Sequence, residues 1–330
     1  IKTTDGGSSW TVSETNTTTN ILKVRSFNGQ PVPSGVVIAS GYDGLILRST
    51  DGGESFEQIT NPAGSGNDLW GLHFANDTVV WSCGTGNMLM KSTDAGLTWQ
   101  RVFTPGYTAN FWWIDFLNES YGFIAADGKV LRTIDGGENW EIIQAGDNQA
   151  LYSIDIIDSL HIAAAGFGGT SYRGKNIYSS DGGYTWITGG PLTFEAVNCI
   201  QYINRDTGYV VMTDVSARKT TNRGQEWTTI QGITDNYELQ FIENLSRGSN
   251  NYLGYSVGTG LQINKAEIDL DLWNRLIIND NFADVFFISE EKGFTISSAL
   301  SSSHNALYKT LDGGNNWNVV SGAPSGSELF

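Results

Sequence analysis

The chain has 330 residues, rich in Gly (40) and in aromatics (11 Trp, 13 Tyr, 15 Phe) and poor in charge (16%). This excludes a disordered polymer, which lacks aromatic residues, and no run approaches the roughly 18 apolar residues of a membrane-crossing helix. A formal charge of −16 argues against a general nucleic-acid binder, which needs a basic face, and against adsorption to an anionic membrane. In chain order, one eight-residue pattern, Ser/Thr-x-Asp-x-Gly-x-x-Trp, recurs. It reads TTDGGSSW (Thr3 to Trp10), STDGGESF (Ser49 to Phe56), STDAGLTW (Ser92 to Trp99), TIDGGENW (Thr133 to Trp140), SSDGGYTW (Ser179 to Trp186) and TLDGGNNW (Thr310 to Trp317). TTNRGQEW (Thr220 to Trp227) is a weaker copy, and a degenerate one with a short insertion is expected from Asn264 to Trp273.

The spacing averages about 44 residues, the size of a four-stranded propeller blade. Between boxes each repeat reads as strand a, aromatic-rich (DLWGLHF from Asp68, NFWWIDF from Asn110, ALYSIDI from Ala150, NYELQFI from Asn236, NFADVFFI from Asn281). A polar turn follows, then a small apolar strand b (VVWSCG, GFIAAD, HIAAAG), a Gly-bearing turn, and strand c running into the box. Strand d leaves at the Trp. Period-2 alternation is expected throughout, with no helix. Ile1 falls within a strand c and SELF (Ser327 to Phe330) reads as the start of another strand a. The expectation is one continuous all-β domain over residues 1–330, a seven-bladed β-propeller with an extra N-terminal hairpin. An eight-bladed ring with one split or truncated blade is the alternative. The mid-repeat ends also fit a module of a longer polypeptide or assembly.

The box has a local physical reading. Its Asp accepts hydrogen bonds within its own turn, its Gly supplies a positive φ, and its Trp folds over the turn. Asp5, Asp51, Asp94, Asp135, Asp181 and Asp312, with Asn222 in the same place once, are therefore read as structural. So are Trp10, Trp99, Trp140, Trp186, Trp227 and Trp317. Arg48, Lys91, Arg132 and Lys309 share one strand-c position and are read as structural too. Cys83 and Cys199 fall three repeats apart and are expected as buried free thiols. No zinc spacing occurs, and no metal or cofactor is expected.

These boxes resemble the Asp-box (BNR) repeat of sialidases, xyloglucan-degrading glycosidases, sortilin-type receptors and the photosystem II stability/assembly factor family. GYDGLILRSTDGGESF (Gly41 to Phe56), GTGNMLMKSTDAGLTW (Gly84 to Trp99) and ADGKVLRTIDGGENW (Ala126 to Trp140) look most like the last of these, and the likeness covers nearly the whole chain. It implies a propeller that binds other proteins without catalysis. That family uses an arginine cluster on one face, whereas this chain is acidic, so a photosynthetic role is not carried over.

Two functions are weighed. The first is a non-catalytic, exported scaffold, extracellular, on the cell surface or periplasmic, that takes a protein or glycan partner on the face bearing the b–c and d–a loops. Few lysines and many Asn, Thr, Ser and Gly favour export. The longest b–c loop, GFGGTSYRGKN (Gly166 to Asn176), offers Phe167, Tyr172, Arg173 and Lys175 as anchors, and Tyr42 and Tyr107 share that face. The second is a glycoside hydrolase acting through channel carboxylates. No Arg-Ile-Pro announces a sialidase, and xyloglucan-degrading enzymes pair two such domains. Aligning strand a nonetheless puts Arg25, His73, Asp115, Asp155, Gln201, Gln240 and Phe286 on one face of the innermost strands. Asp115 and Asp155, from adjacent blades, are the candidate dyad.

Overall fold

The computed structural model describes residues 17, 19–27, 35–52, 55–104, 106–143, 150–168, 173–192, 195–213, 217–230, 238–243, 252–257, 262–267, 272–277, 282–287, 293–297, 307–310 and 318–319. The strands are β1 (Ile21–Ser26), β2 (Val37–Gly41), β3 (Ile46–Ser49) and β4 (Glu57–Gln58). Next come β5 (Leu69–Phe74), β6 (Val80–Gly84), β7 (Met88–Ser92) and β8 (Gln100–Arg101). They continue with β9 (Phe111–Phe116), β10 (Gly122–Ala126), β11 (Val130–Thr133) and β12 (Glu141–Ile143). β13 (Ala150–Ile156), β14 (Ile162–Gly168), β15 (Arg173–Ser179) and β16 (Ile187–Thr188) follow. The fifth group is β17 (Val197–Tyr202), β18 (Gly208–Met212), β19 (Ala217–Thr220) and β20 (Thr228–Ile230). The remainder are β21 (Glu238–Glu243), β22 (Tyr252–Val257), β23 (Gln262–Glu267) and β24 (Leu272–Ile277), then β25 (Phe282–Phe287), β26 (Gly293–Ser297), β27 (Leu307–Thr310) and β28 (Asn318–Val319).

Strands β1 to β20 make five four-stranded antiparallel sheets, each a meander in chain order, and β21 to β28 pair in the same way. The first strand of each sheet packs on the first strand of the next, and β25 lies against β1. This is the arrangement of a β-propeller, with first strands innermost and last strands at the rim. Of the rim strands, β4, β8 and β16 are two exposed residues each. Edge strands this short offer little template for pairing with another chain.

Alternation fails in strand b. Every residue of β6, β10 and β18 is buried, because each sheet is covered on both faces by its neighbours. Such a strand reads as a continuous apolar run. In the stretch read as a degenerate box, Ala266 pairs with Trp273 and Asn264 with Arg275 in an unbroken ladder, and the turn between them lies outside the described residues. The first box, with Asp5 and Trp10, and Asp312 and Trp317 of the last, lie outside them too.

The boxes close locally. Asp94 Oδ1 accepts the Ser92 hydroxyl and the Thr98 amide, both at 2.8 Å, and Oδ2 accepts the Thr98 hydroxyl at 2.6 Å. The Ser92 hydroxyl oxygen accepts the Gly96 amide at 2.8 Å, and the Trp99 indole donates to the Gly96 carbonyl at 3.0 Å. Asp51, Asp135 and Asp181 repeat the pattern, and Asn222 accepts from Thr220 and the Glu226 amide. Burial alone would raise the Asp94 carboxyl; the Thr98 and Ser92 bonds together outweigh it and hold it low. The Asn139 side chain and amide do the same for Asp135. Trp186 and Trp227 donate to Gly183 and Gly224. The Trp140 indole nitrogen is buried with no hydrogen bond, and its ring stands edge-on to Trp81.

Three of the described boxes also lock onto the preceding sheet. Arg48 Nε donates to the Ala95 carbonyl at 2.8 Å, Lys91 Nζ to Gly136 at 2.6 Å and Arg132 Nη1 to Gly182 at 2.9 Å. In each case the acceptor follows the box Asp of the next sheet. The glycine after that acceptor lies on strand b of the preceding sheet. A Cβ at Gly96 would sit 2.3 Å from Ile38, and one at Gly137 2.2 Å from Trp81. Both glycines have positive φ, +80° and +85°, so this position demands glycine on two counts.

Candidate binding sites in the channel and on the loop face

The innermost strands carry two sets of side chains, one at each end of the channel. At the end shared with the boxes lies a cavity of about 360 Å³, lined among others by Arg25, His73, Trp113, Asp115, Asp155 and Gln201. These are the described side chains that strand alignment puts on one face, joined by Trp113 and Cys199 two residues earlier on their strands. Gln240 and Phe286 belong to strands described here by their ladders alone.

Asp115 Oδ1 lies 3.1 Å from His73 Nδ1 and accepts the Phe116 amide at 2.9 Å. Its Oδ2 accepts the amide of Ile156, on the next sheet, at 2.9 Å. Asp155 repeats the step one sheet further, its Oδ2 accepting the Tyr202 amide at 2.7 Å. Ser153 does likewise, exchanging hydrogen bonds with the backbone of Ile200. The channel carboxylates therefore stitch innermost strands together. Burial, then the Asp115 charge, raises the Asp155 carboxyl to about 8, against the pull of the Tyr202 amide. Burial also lowers His73; Asp115 opposes that and Arg25 reinforces it.

The other end of the channel presents a feature that alternation conceals. The pairing register shifts between Leu69 and Gly71, between Phe111 and Trp113, and between Leu151 and Ser153. These β-bulges leave Trp70, Trp112 and Tyr152 without a ladder partner. The three half-buried rings meet across three sheets: Trp70 stacks on Trp112 with centroids 4.3 Å apart, and Tyr152 meets Trp112 at 4.8 Å and 64°. Asp127 braces the row, accepting the Trp112 indole N–H at 2.7 Å, and its carbonyl accepts the Tyr107 hydroxyl. Burial, then Asp127, pushes the Tyr107 phenol up to about 12. The signal for this row is an aromatic two residues before Leu72, Ile114 and Ile154 in three successive strands a, where strict period 2 keeps it off the channel face.

The anticipated anchors are placed unevenly. Tyr42 is exposed on this face, in a short 3-10 turn (Tyr42–Gly44) whose Asp43 has a φ of +51°. Tyr107 is half-buried and committed to Asp127, and its ring stacks on Phe111. The long b–c loop is mostly strand: Phe167 pairs with Gly174, Gly168 with Arg173 and Gly166 with Lys175. Ladder pairing satisfies backbone groups that a loop would leave to water, so Phe167, Arg173 and Lys175 stand on strands and not at a loop tip. Tyr172 lies outside the described residues. Cys83 and Cys199 are buried free thiols; burial pushes the Cys83 thiol far up, which keeps it unreactive.

No family model matches the chain, and no curated protein matches it by sequence. Solved structures match it in shape. YCF48 bound to a D1 peptide superposes at a TM-score of 0.65 with 16% identity, over 88% of this chain and 92% of that one. YCF48 from Cyanidioschyzon merolae superposes at 0.68 with 13% identity, over 94% and 100%. An ancestral GH74 enzyme superposes at 0.65 with 13% identity over 96% of this chain, which spans 50% of that enzyme. At these identities the shared property is the β-propeller fold, of the kind carried by YCF48.

Proposed function

We propose that the chain is a non-catalytic scaffold that captures a protein partner on the face bearing the b–c and d–a loops. The observation that carries this reading is the braced row Trp70–Trp112–Tyr152. Large aromatics held in place before binding lose little conformational entropy on capture and are typical interface anchors. The neighbour captured with a peptide, YCF48 with D1, supports a binding role for a propeller of this shape. We further infer a single domain over residues 1–330 with seven blades, on the β25–β1 contact and the repeat spacing. We also infer export, to the extracellular space, the cell surface or the periplasm, a reading supported by few lysines and many Asn, Thr, Ser and Gly.

Glycoside hydrolysis is the second reading, favoured by the raised Asp155 carboxyl beside Asp115. Against it, three of the four carboxylate oxygens accept backbone amides, which ties them to the ring. The test is capture by immobilised chain from a surface and secreted extract of the source organism. Trp112→Ala should lose the captured protein while Asp115→Asn keeps it. Equal capture by wild type and Trp112→Ala refutes the loop-face reading. Release of p-nitrophenol from aryl glycosides, abolished by Asp115→Asn, refutes the non-catalytic one.

A further inference from the structure

The pairing register also shifts in β1 between Ile21 and Lys23 and in β17 between Val197 and Cys199. Leu22, the three rings of the row and Asn198 therefore hold equivalent places on five adjacent sheets, an arc that suits an extended segment better than a small molecule. In a step that rests on capture at the loop face, we propose that the partner presents a basic segment. One of its Arg or Lys side chains lies against the Trp70–Trp112–Tyr152 row, with its charge met by Asp127 and Asp68.

Carboxylates flank the rings. Asp127 Oδ1 accepts the Trp112 indole at 2.7 Å and Oδ2 the Asn110 amide at 3.3 Å, and each oxygen keeps a second lone pair. Asp68, two residues before Trp70, accepts the Asp43 amide at 3.2 Å. No ion pair joins Asp43, Asp68 or Asp127 to another described residue. Cations are committed elsewhere: Arg48, Lys91 and Arg132 bond box carbonyls, and Arg205 and Arg223 pair with Asp158 and Asp206. In the sequence, the segments joining strand b to c and strand d to the next a contain a single Lys or Arg, Lys129, against further acids such as Asp147, Glu195 and Asp214. Arg173 and Lys175 open β15. The formal charge of −16 draws a basic partner in from a distance, and the rings favour it at contact, because aromatic faces attract cations. Trp113, next to Trp112 on β9, already has the Lys23 ammonium 4.5 Å from its centroid. A guanidinium both stacks on an indole and forks onto a carboxylate, so Arg is favoured over Lys.

The test is fluorescence anisotropy of the full chain with labelled Gly-Ser-X repeat peptides in which X is Arg, Lys, Gln or Glu. The Arg peptide should bind saturably, more tightly than the Lys peptide, and weaken as NaCl rises from about 50 to 200 mM; the Gln and Glu peptides should not bind. Trp112→Ala and Asp127→Asn should each weaken the Arg peptide about tenfold. Asn keeps an acceptor for the Trp112 indole, so Asp127→Asn removes the charge and preserves the brace. Asp68→Asn does the same beside Trp70 and decides the question if Trp112→Ala does not fold. Asp206→Asn removes an equal charge from the box end and should leave binding unchanged. Equal binding of the Gln and Arg peptides overturns the proposal, as does binding undiminished in both Asp127→Asn and Asp68→Asn. An equal loss in Asp206→Asn also overturns it, by showing attraction to an acidic chain at large. In capture from extract, a protein that needs Trp112 but is neither displaced by the Arg peptide nor lost with Asp127→Asn overturns it and leaves loop-face capture standing. Capture indifferent to Trp112, with Arg-peptide binding still dependent on that ring, overturns the loop-face reading instead.

Discussion

Replacing Asp155 by Asn tests the electrostatics of the channel directly. Burial and the Asp115 charge raise this carboxyl from 3.8 to about 8. The native chain therefore holds a proton that the unfolded chain releases above about pH 4. The stability so conferred is fully present below about pH 4 and is lost as pH rises to about 8, at up to about 1.4 kcal/mol per pH unit. Four units set a ceiling near 6 kcal/mol, and water entering the cavity on ionisation lowers it to about 2–4 kcal/mol. Asn has the same shape, keeps a carbonyl for the Tyr202 amide and does not titrate. Wild type and Asp155→Asn should match within about 1 kcal/mol at pH 5, and the variant should lead by about 2–4 kcal/mol at pH 9. His73 protonation at low pH affects both proteins alike and cancels in the difference. Urea unfolding followed by tryptophan fluorescence at pH 5, 7 and 9 measures the gap. A gap that stays constant with pH would show that Asp155 ionises like a solvated carboxylate.

The lock between sheets makes two further predictions. Arg132 is 5% exposed, bonds Gly182 and Glu141 and lies 3.7 Å over the Tyr184 ring. Arg132→Ala should cost about 2–4 kcal/mol, and a loss under about 1 kcal/mol in urea unfolding would refute the lock. Gly137→Ala drives a Cβ into Trp81 at positive φ and should cost about 3 kcal/mol or more. Gly52→Ala, at a φ of +73° with no atom within 4 Å of the added Cβ, should cost only about 1 kcal/mol of backbone strain. Similar shifts in unfolding midpoint for the two glycine variants would contradict the packing argument.

The repeat was legible in the sequence because each box is a local object. Ser92, Asp94, Thr98 and Trp99 find their partners within the same eight residues, so spacing alone reveals the hairpin. Strand alignment also brought Asp115 and Asp155 together, since equivalent residues of adjacent innermost strands must meet in a closed ring. The long-range features needed the tertiary structure. The recurring cation of strand c is visible at positions 48, 91 and 132, but its acceptor lies in the next repeat, more than 40 residues away. The Trp70–Trp112–Tyr152 row depends on a bulge in each strand, and a single extra residue reverses the face that period 2 assigns. Ionisation depended likewise on assembly: the chemistry of Asp155 is that of any aspartate until ring closure buries it beside Asp115. Local hydrogen bonding therefore wrote the architecture into the sequence, while surfaces and charges built from different repeats exist only once the sheets have packed.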